Sequence, residues 1–232
     1  APLPMLSVFC RFIDAAFFAI MAHNTQLIGG GSLLSEFGSL GNTSLDLAEL
    51  QRVVELSDQA LASRVYWQYK HFKDLTSSGG YGDLSLYTAG ELQTNKLRAI
   101  ATPYAQALAG TPHFMRFERG VGAFALEFTA AESSSQLHST SVLHLNTELH
   151  YPNGFRVLTS AADGDVSLHL RQRSLLEIVH TPALAGHALV VCVLPCTVGV
   201  NCSSEGPLAE GWFPQQWWHT CGIRVVDFWW RA

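Results

Sequence analysis

The hydrophobic pattern of this chain changes once, near Gly110, and the change limits what the chain can fold into. Before Gly110, apolar residues recur at helical spacing, with two short strand-like runs between the helical segments. After Gly110, apolar and polar residues alternate in short segments. A helix repeats about every 3.6 residues and a strand about every second residue, so the two parts differ in secondary structure. The sequence predicts an α/β part followed by an all-β part, with the boundary at Gly110 to Pro112.

The first part alternates helices with strands. The side chains of residues 42–44 can cap the second helix, and Asp46 lies in its first turn, where an acidic group is favourable. Pro103 should kink the third helix because it lacks a backbone donor, unless that helix begins only a turn before it. The predicted elements are helix Phe9 to Ala22, strand Ser32 to Phe37, helix Asn42 to Ala62, strand Arg64 to Lys70 and helix Glu91 to Ala109. Crossovers of this kind join parallel strands.

The second part, residues 111–196, consists of short alternating segments separated by turns. Asn153-Gly154 and Asp163-Gly164 are dipeptides typical of tight turns. The predicted strands are His113 to Glu118, Ala123 to Ala130, Ser141 to Leu145, Phe155 to Ser160, Val166 to Arg171, Leu175 to Val179 and Ala188 to Leu194. Seven strands at this spacing predict an antiparallel β-sandwich.

The tail, residues 197–232, fits neither pattern, although it is rich in tryptophan. Its tryptophans are Trp212, Trp217, Trp218, Trp229 and Trp230. Such a cluster would suit a carbohydrate-binding or lipid-interface surface. The alternative is a tail that packs irregularly on the sandwich, or an extension that folds poorly.

The composition excludes some partners. The net charge is -5, and the 14 lysines and arginines are scattered, so no basic surface for nucleic acid is expected. The longest apolar runs are shorter than the roughly 20 residues that span a bilayer, so no transmembrane helix is predicted. The sequence begins with Ala1, and we expect a piece of a longer protein, with any signal peptide lying upstream.

The cysteines leave the compartment open. Five are present, namely Cys10, Cys192, Cys196, Cys202 and Cys221, and none forms a CxxC pair. Disulfides in the tail are one interpretation, whereas a zinc site is disfavoured by the spacing. Asn42-Thr43-Ser44 and Asn201-Cys202-Ser203 are glycosylation sequons, which suit a secreted protein. We expect a secreted or membrane-associated location rather than the cytosol.

Glu36 follows two leucines in the motif LLSEFG, Leu33 to Gly38. In a β/α barrel the carboxyl ends of the parallel strands face the active site, so a glutamate there is a candidate catalytic group. The alternative is structural, because a carboxylate at this point can also cap the next helix or pair with an arginine.

Trp67 stands near the end of the next predicted strand, in YWQYK, Tyr66 to Lys70. A flat aromatic ring can bury the C–H face of a sugar and leave its hydroxyl groups free for polar contacts. The same tryptophan could instead be ordinary packing. Its occurrence one β/α unit after Glu36 favours a sugar site.

The order of motifs resembles the end of an endoglycoceramidase-type enzyme of glycoside hydrolase family 5. In the first part the matching motifs are LLSEFG, VVELSDQAL, YWQYK and YAQALAG, and in the second HFMRFE, AFALEF and ELHYPNGFRV. The resemblance runs from about Gly29 to Leu194. It implies that residues 1–110 are the last strands and helices of a (β/α)8 barrel and that residues 111–196 are the family's C-terminal sandwich.

The resemblance also implies roles for single residues. Glu36 would be the nucleophile, Trp67 would lie beneath the sugar, and Tyr69 and Lys70 would line the site. The family's acid/base glutamate follows an asparagine on the fourth barrel strand, and no Asn-Glu dipeptide occurs here. A retaining glycosidase needs two carboxyl groups, so Glu36 is half of the expected pair. No metal and no cofactor are expected.

The implied activity is hydrolysis, with retention, of the β-linkage between glycan and ceramide in glycosphingolipids. The expected partner is therefore a glycosphingolipid or related glycoside, with possible contact to a membrane surface. One alternative is a glucosylceramide or steryl β-glucosidase of the same family. Another is a noncatalytic module that binds glycan or lipid.

Overall fold

The computed structural model describes residues 4–71, 84–132, 139–196 and 224–228 of the 232-residue chain, with side chains for residues 11–71, 84–132 and 139–196. The chain divides into two compact units, Ala1–Ala101 and Thr102–Ala232. Of the predicted tail, 197–232, only one strand lies within the described residues, and its five tryptophans lie outside them.

The first unit alternates helices with strands, as the sequence predicts. Its elements are α1 (Pro4–Ile28), β1 (Leu33–Gly38), α2 (Ser44–Gln59), β2 (Ser63–Trp67), β3 (Tyr87–Thr88), β4 (Glu91–Leu92) and α3 (Thr94–Ile100). Strands β1 and β2 pair in parallel, with α2 between them in the chain. The predicted pair of parallel strands is therefore confirmed. Strands β3 and β4 form a separate short antiparallel hairpin.

Helix α2 begins where the capping pattern predicts. The Thr43 hydroxyl accepts a hydrogen bond from the Asp46 backbone amide at 3.3 Å, and the Asp46 carboxylate accepts one from the Thr43 amide at 3.1 Å. This reciprocal capping box satisfies two amides that a helix start otherwise leaves unpaired. Leu50 and Val54 of the helix are fully buried, so one apolar face holds it in the unit.

Helix α1 is longer than predicted and carries much exposed apolar surface. Phe12, Ile20 and Ile28 are 71%, 61% and 84% exposed. The Arg52 guanidinium pairs with Asp14 of this helix and with Glu49 of α2, which ties the two helices together. None of the helices in the described residues combines the length and apolar character that crossing a bilayer requires.

The second unit contains two antiparallel sheets. Its strands are β5 (Tyr104–Ala107), β6 (Gly110–Glu118), β7 (Ala123–Ala130), β8 (Thr140–His144), β9 (Phe155–Thr159), β10 (Val166–Arg171), β11 (Leu175–His180), β12 (Ala188–Pro195) and β13 (Arg224–Phe228), with a short helix α4 (Thr147–His150). One sheet has the order β10-β11-β8-β5, and the other β13-β9-β12-β7-β6. All seven predicted strands are present as β6 to β12, and the two sheets fit a β-sandwich.

The centre of the five-stranded sheet is buried on both faces. Neighbouring residues of β7 point to opposite faces, yet Phe124 and Ala125 are both fully buried. One face carries a cluster made of Ala123, Ala125, Leu158, Val190, Cys192 and Leu194. The other face includes Phe124, Leu126 and Phe128, all fully buried. The strong apolar content of β7 and β12 follows from this double burial.

The predicted helix from Glu91 to Ala109 is wrong. The structure has a seven-residue helix, Thr94–Ile100, followed by strand β5. Pro103 offers no backbone donor and disfavours helical geometry in the residue before it, so the helix ends rather than kinks. Strand β5 then pairs with β8. Because β5 belongs to the second unit, the division at Ala101 falls earlier than the predicted Gly110 to Pro112.

Two cysteines of the sandwich are disulfide-bonded, Cys192 in β12 and Cys196 directly after it. Of the two interpretations of the cysteines, the disulfide one therefore applies to these two residues.

Tyr151 sets an alkaline limit on the stability of the sandwich. It is fully buried against Phe155, its hydroxyl has no hydrogen-bond partner among the described residues, and burial raises its pKa above the ordinary value of about 10. The folded state stabilises the neutral phenol of Tyr151. The contribution of Tyr151 to the free energy of unfolding is therefore complete below pH ~10 and is lost as the pH rises further. Between pH ~10 and ~12, Tyr151→Phe should retain about 1 kcal/mol more unfolding free energy per pH unit than the wild type.

Denaturant unfolding at several alkaline pH values measures this difference. The matched control is Tyr104→Phe, which removes the hydroxyl of a tyrosine that is 38% exposed. Equal pH dependence in all three proteins would contradict the assignment to Tyr151.

Candidate active site

Glu36 lies in an irregular step of strand β1. The parallel register pairs Leu34 with Arg64 and then Phe37 with Tyr66, so β1 has one residue more than β2 across this step. A bulge of this kind turns side chains away from the regular pleat and is frequent beside active sites. The Glu36 side chain is exposed, as a group that must reach a ligand has to be.

The strand ends beyond the bulge approach each other closely. Gly38 pairs with Trp67, and the Ser39 amide donates a hydrogen bond to the Trp67 carbonyl at 3.0 Å. A Cβ atom added to Gly38 would lie 2.2 Å from that carbonyl oxygen, and Gly38 has a φ of +126°. Only glycine suits this position, and its absence of a side chain brings the ends of β1 and β2 together.

The two faces of this strand pair have different contents. The rings of Phe37 and Tyr66 pack edge to face, with centroids 5.5 Å apart. The Tyr66 hydroxyl donates to the Leu84 carbonyl at 3.1 Å, and burial raises the pKa of Tyr66. Because neighbouring strand residues alternate in direction, Trp67 falls on the opposite face from this ring pair. Trp67 is half-buried there.

Tyr69 and Lys70 follow the end of β2, which is shorter than predicted. Both side chains are exposed, whereas Gln68 before them is buried. The Tyr69 carbonyl accepts a hydrogen bond from the Tyr87 amide at 3.0 Å, and Lys70 forms an isolated parallel bridge with Tyr87. Hydrogen bonds to β3 therefore hold this segment in place after the strand has ended.

Tyr87 is an aromatic neighbour that the sequence did not indicate. Its ring lies 5.1 Å from the ring of Tyr69, and a hydrogen bond with Tyr69 raises the pKa of Tyr87. Exposed Tyr69 and half-buried Tyr87 thus form an aromatic pair. No local pattern marks Tyr87, because it reaches Tyr69 only through pairing of distant segments.

Neither structural alternative for Glu36 is observed in the part of the chain that the structure describes. Helix α2 is capped by Thr43 and Asp46, and Arg64 pairs with Asp58. Within the described residues the Glu36 side chain makes no hydrogen bond and no ion pair. The same residues contain no cluster of three histidine, cysteine, aspartate or glutamate side chains that could hold a metal ion. Glu36 is thus an exposed carboxylate with no structural partner in this part of the protein.

A family model provides the first comparison with known proteins. Residues 103–191 match the glycoside hydrolase family 5 C-terminal domain. This match covers β5 through the first half of β12, which is most of the described sandwich. The chain is similar to the C-terminal portion of an endoglycoceramidase-like enzyme of glycoside hydrolase family 5. The resemblance noted from the motifs is confirmed.

Curated and solved relatives agree with this assignment. An endoglycoceramidase of Cyanea nozakii is 26% identical over 148 residues, which are 63% of this chain and 29% of that protein. Endo-glycoceramidase II from Rhodococcus sp., solved as a lactosyl-enzyme intermediate, superposes with a TM-score of 0.61 at 20% identity and covers 85% of this chain. Sterylglucosidase 1 of Cryptococcus neoformans superposes with a TM-score of 0.58 at 12% identity over 80% of this chain.

The chain spans less than half of the length of each of these relatives. It covers 41% of the Rhodococcus enzyme and 32% of the Cryptococcus enzyme. At these identities the structural likeness establishes a shared fold.

Proposed function

We propose that this chain supplies the nucleophile strand and the sugar platform of a retaining β-glycosidase that cleaves the linkage between glycan and ceramide. One observation carries the proposal. Near the ends of the paired parallel strands β1 and β2, Glu36 is an exposed carboxylate with no partner in the described residues, and Trp67 is a half-buried tryptophan one β/α unit later. The same chain contains a match to a family 5 C-terminal domain.

The first unit is proposed to be the last part of a (β/α)8 barrel. Its support is the parallel pair β1 and β2, joined through α2, with both candidate residues at the carboxyl ends of their strands. Active sites of such barrels lie at that end. The exposed apolar residues of α1 and the unpaired edges of β1 and β2 in the described residues suit a unit that continues into further barrel elements.

The relatives support both the substrate class and the mechanism. Endo-glycoceramidase II from Rhodococcus sp. was solved as a lactosyl-enzyme intermediate and in a complex with ganglioside GM3. A glycosyl-enzyme is the covalent intermediate of a retaining mechanism. Ganglioside GM3 is a glycosphingolipid, so for this chain we infer a glycosphingolipid or related glycoside and contact with the membrane that presents it.

In the proposed reaction a carboxylate oxygen of Glu36 attacks the anomeric carbon of the glycan. The bond from that carbon to the ceramide oxygen breaks, and the oxygen takes a proton from a second carboxyl group. Water then gives a proton to that second carboxyl group and attacks the anomeric carbon of the glycosyl-enzyme, which releases Glu36 as a carboxylate. Trp67 packs against the sugar ring, and exposed Tyr69 and Lys70 contribute hydrogen-bond donors at the rim.

The chain by itself should be inactive. Without the second carboxyl group, the ceramide oxygen leaves unprotonated, and general acid catalysis contributes about 10²- to 10⁴-fold. We expect no turnover of a fluorescent glycosylceramide by the 232-residue chain. A longer polypeptide that places the preceding β/α units before Ala1 should hydrolyse it with retention, observed by NMR of the released sugar. Inverted product, or full activity of the short chain, would refute this assignment.

Trp67→Ala in that longer polypeptide should weaken sugar binding more than folding. Loss of one aromatic contact costs about 1 to 3 kcal/mol, which is about 5- to 150-fold in kcat/KM. Trp67→Phe serves as the conservative variant and should retain most of the activity. Steady-state kinetics and thermal melting are measured together. Unchanged kinetics with a large fall in melting temperature would show that Trp67 is a packing residue.

A steryl or glucosylceramide β-glucosidase is the second candidate, favoured by the superposition on the Cryptococcus sterylglucosidase. The nucleophile and platform would be the same, and only the aglycone would differ. A panel of steryl glucoside, glucosylceramide and lactosylceramide separates the two candidates. The longer polypeptide should prefer lactosylceramide, and a preference for steryl glucoside would favour the second candidate.

A further inference from the structure

The loop between β1 and α2 contains an accessible glycosylation sequon. Asn42, Thr43 and Ser44 are all exposed, and Ser44 is the first residue of α2. Attachment to asparagine requires the pattern Asn-x-Ser/Thr, and such sites lie in surface loops of secreted proteins. The sequence has one other sequon, Asn201-Cys202-Ser203, outside the described residues.

The Asn42 side chain is free to be modified without loss of the local structure. The cap of α2 is made by Thr43 and Asp46, so Asn42 has no part in it. The Asn42 side-chain nitrogen donates to Gln93 Oε1 at 2.8 Å. That nitrogen has two hydrogens, and a glycan replaces only one of them. The hydrogen bond to Gln93 therefore remains available to the modified residue.

Disulfide bonding provides an independent indication of compartment. Cys192 and Cys196 are both disulfide-bonded. Disulfides persist in the secretory pathway and outside the cell, whereas cytosolic thiols are kept reduced. The compartment in which such bonds form is also the one that attaches N-linked glycans. An exposed sequon in one unit and disulfide-bonded cysteines in the other thus indicate the same route of synthesis.

We propose that Asn42 is N-glycosylated. In the transfer, the Asn42 amide nitrogen forms a bond to the anomeric carbon of an oligosaccharide. The bond from that carbon to the diphosphate of a lipid carrier breaks, and the amide loses one proton to a base of the transferase. The loop containing Asn42 leaves the carboxyl end of β1, so the glycan would stand on the side of the unit that carries the candidate active site. The modification itself does not depend on the proposed glycosidase activity.

The test uses the full chain, directed through the secretory pathway of a eukaryotic cell by a leader peptide. Asn201→Gln is the background variant, because it leaves Asn42-Thr43-Ser44 as the one remaining sequon. The secreted protein should lose mass on treatment with peptide N-glycosidase. Peptide mass spectrometry should then find aspartate at position 42, because the enzyme converts the glycosylated asparagine.

Three variants in that background identify the site. Asn42→Gln and Ser44→Ala should each abolish the mass shift, whereas Thr43→Ala should retain it, because the middle residue of a sequon is not specified. Equal melting temperatures for Asn42→Gln and Ser44→Ala show that the lost shift does not come from misfolding. An Asn201→Gln protein that is secreted without any mass shift, or a shift that persists in Ser44→Ala, would overturn the proposal.

Discussion

Glu36→Gln in the longer polypeptide should abolish covalent trapping by a fluorinated glycoside. Glutamine has nearly the same size as glutamate, but its amide lacks the negative charge that attacks the anomeric carbon. The value of kcat/KM for a glycosylceramide should fall at least ~10³-fold, which corresponds to ~4 kcal/mol of transition-state stabilisation. Because the exposed Glu36 side chain has no partner in the described residues, the melting temperature should change little.

The matched control makes the same chemical change away from the site. Glu55 is an exposed glutamate of α2, and Glu55→Gln should leave trapping and turnover intact. Mass spectrometry of the trapped wild-type protein should place the sugar on Glu36. A sugar found on another residue, or normal turnover by Glu36→Gln, would show that Glu36 is not the nucleophile.

Elements that follow from a local pattern could be predicted from the sequence. The capping side chains and helical spacing located α2, and short strand-like segments between turns located all seven strands from β6 to β12. The order helix, strand, helix, strand indicated the parallel pairing of β1 with β2. These features depend on neighbouring residues alone, so a single sequence contains enough information for them.

Features that depend on pairing between distant segments could not be predicted. Strand β5 has the composition of a helix, and it is a strand because β8 supplies its hydrogen-bonding partner. The bulge at Glu36 is defined only relative to the register of β2. Tyr87 likewise becomes a neighbour of Tyr69 through a bridge that no local pattern marks.

In the candidate site, too, some features follow from a local pattern and others depend on pairing between distant segments. Its two principal residues could be proposed because each stands near the end of a recognisable strand. The ends of β1 and β2 meet through the close backbone approach of Gly38 to Trp67. In the sequence, only the glycine at position 38 indicates this approach. The proposed roles of Glu36 and Trp67 thus depend on a close backbone approach, and that approach can be tested directly.

Gly38→Ala should disrupt both the strand pair and the site. The added Cβ would lie 2.2 Å from the Trp67 carbonyl oxygen and 2.8 Å from a ring carbon of Tyr66, and neither is the far end of a flexible chain. The backbone also has a φ of +126°, which alanine adopts only with strain. Strain and overpacking together should lower the unfolding free energy by about 2 to 4 kcal/mol. Denaturant unfolding measures this loss.

Gly29→Ala separates the two causes of that loss. Gly29 has a φ of +81°, also in the left-handed region, but an added Cβ there would meet nothing within 4 Å. Gly29→Ala should therefore lower the unfolding free energy through backbone strain alone, by about 1 kcal/mol. The excess loss in Gly38→Ala then measures the close approach of the strand ends. In the longer polypeptide, Gly38→Ala should also reduce kcat/KM, because moving Trp67 away from β1 separates the platform from Glu36. Equal stability losses in the two variants would show that β1 and β2 do not meet as described, and would remove the geometric basis for the site.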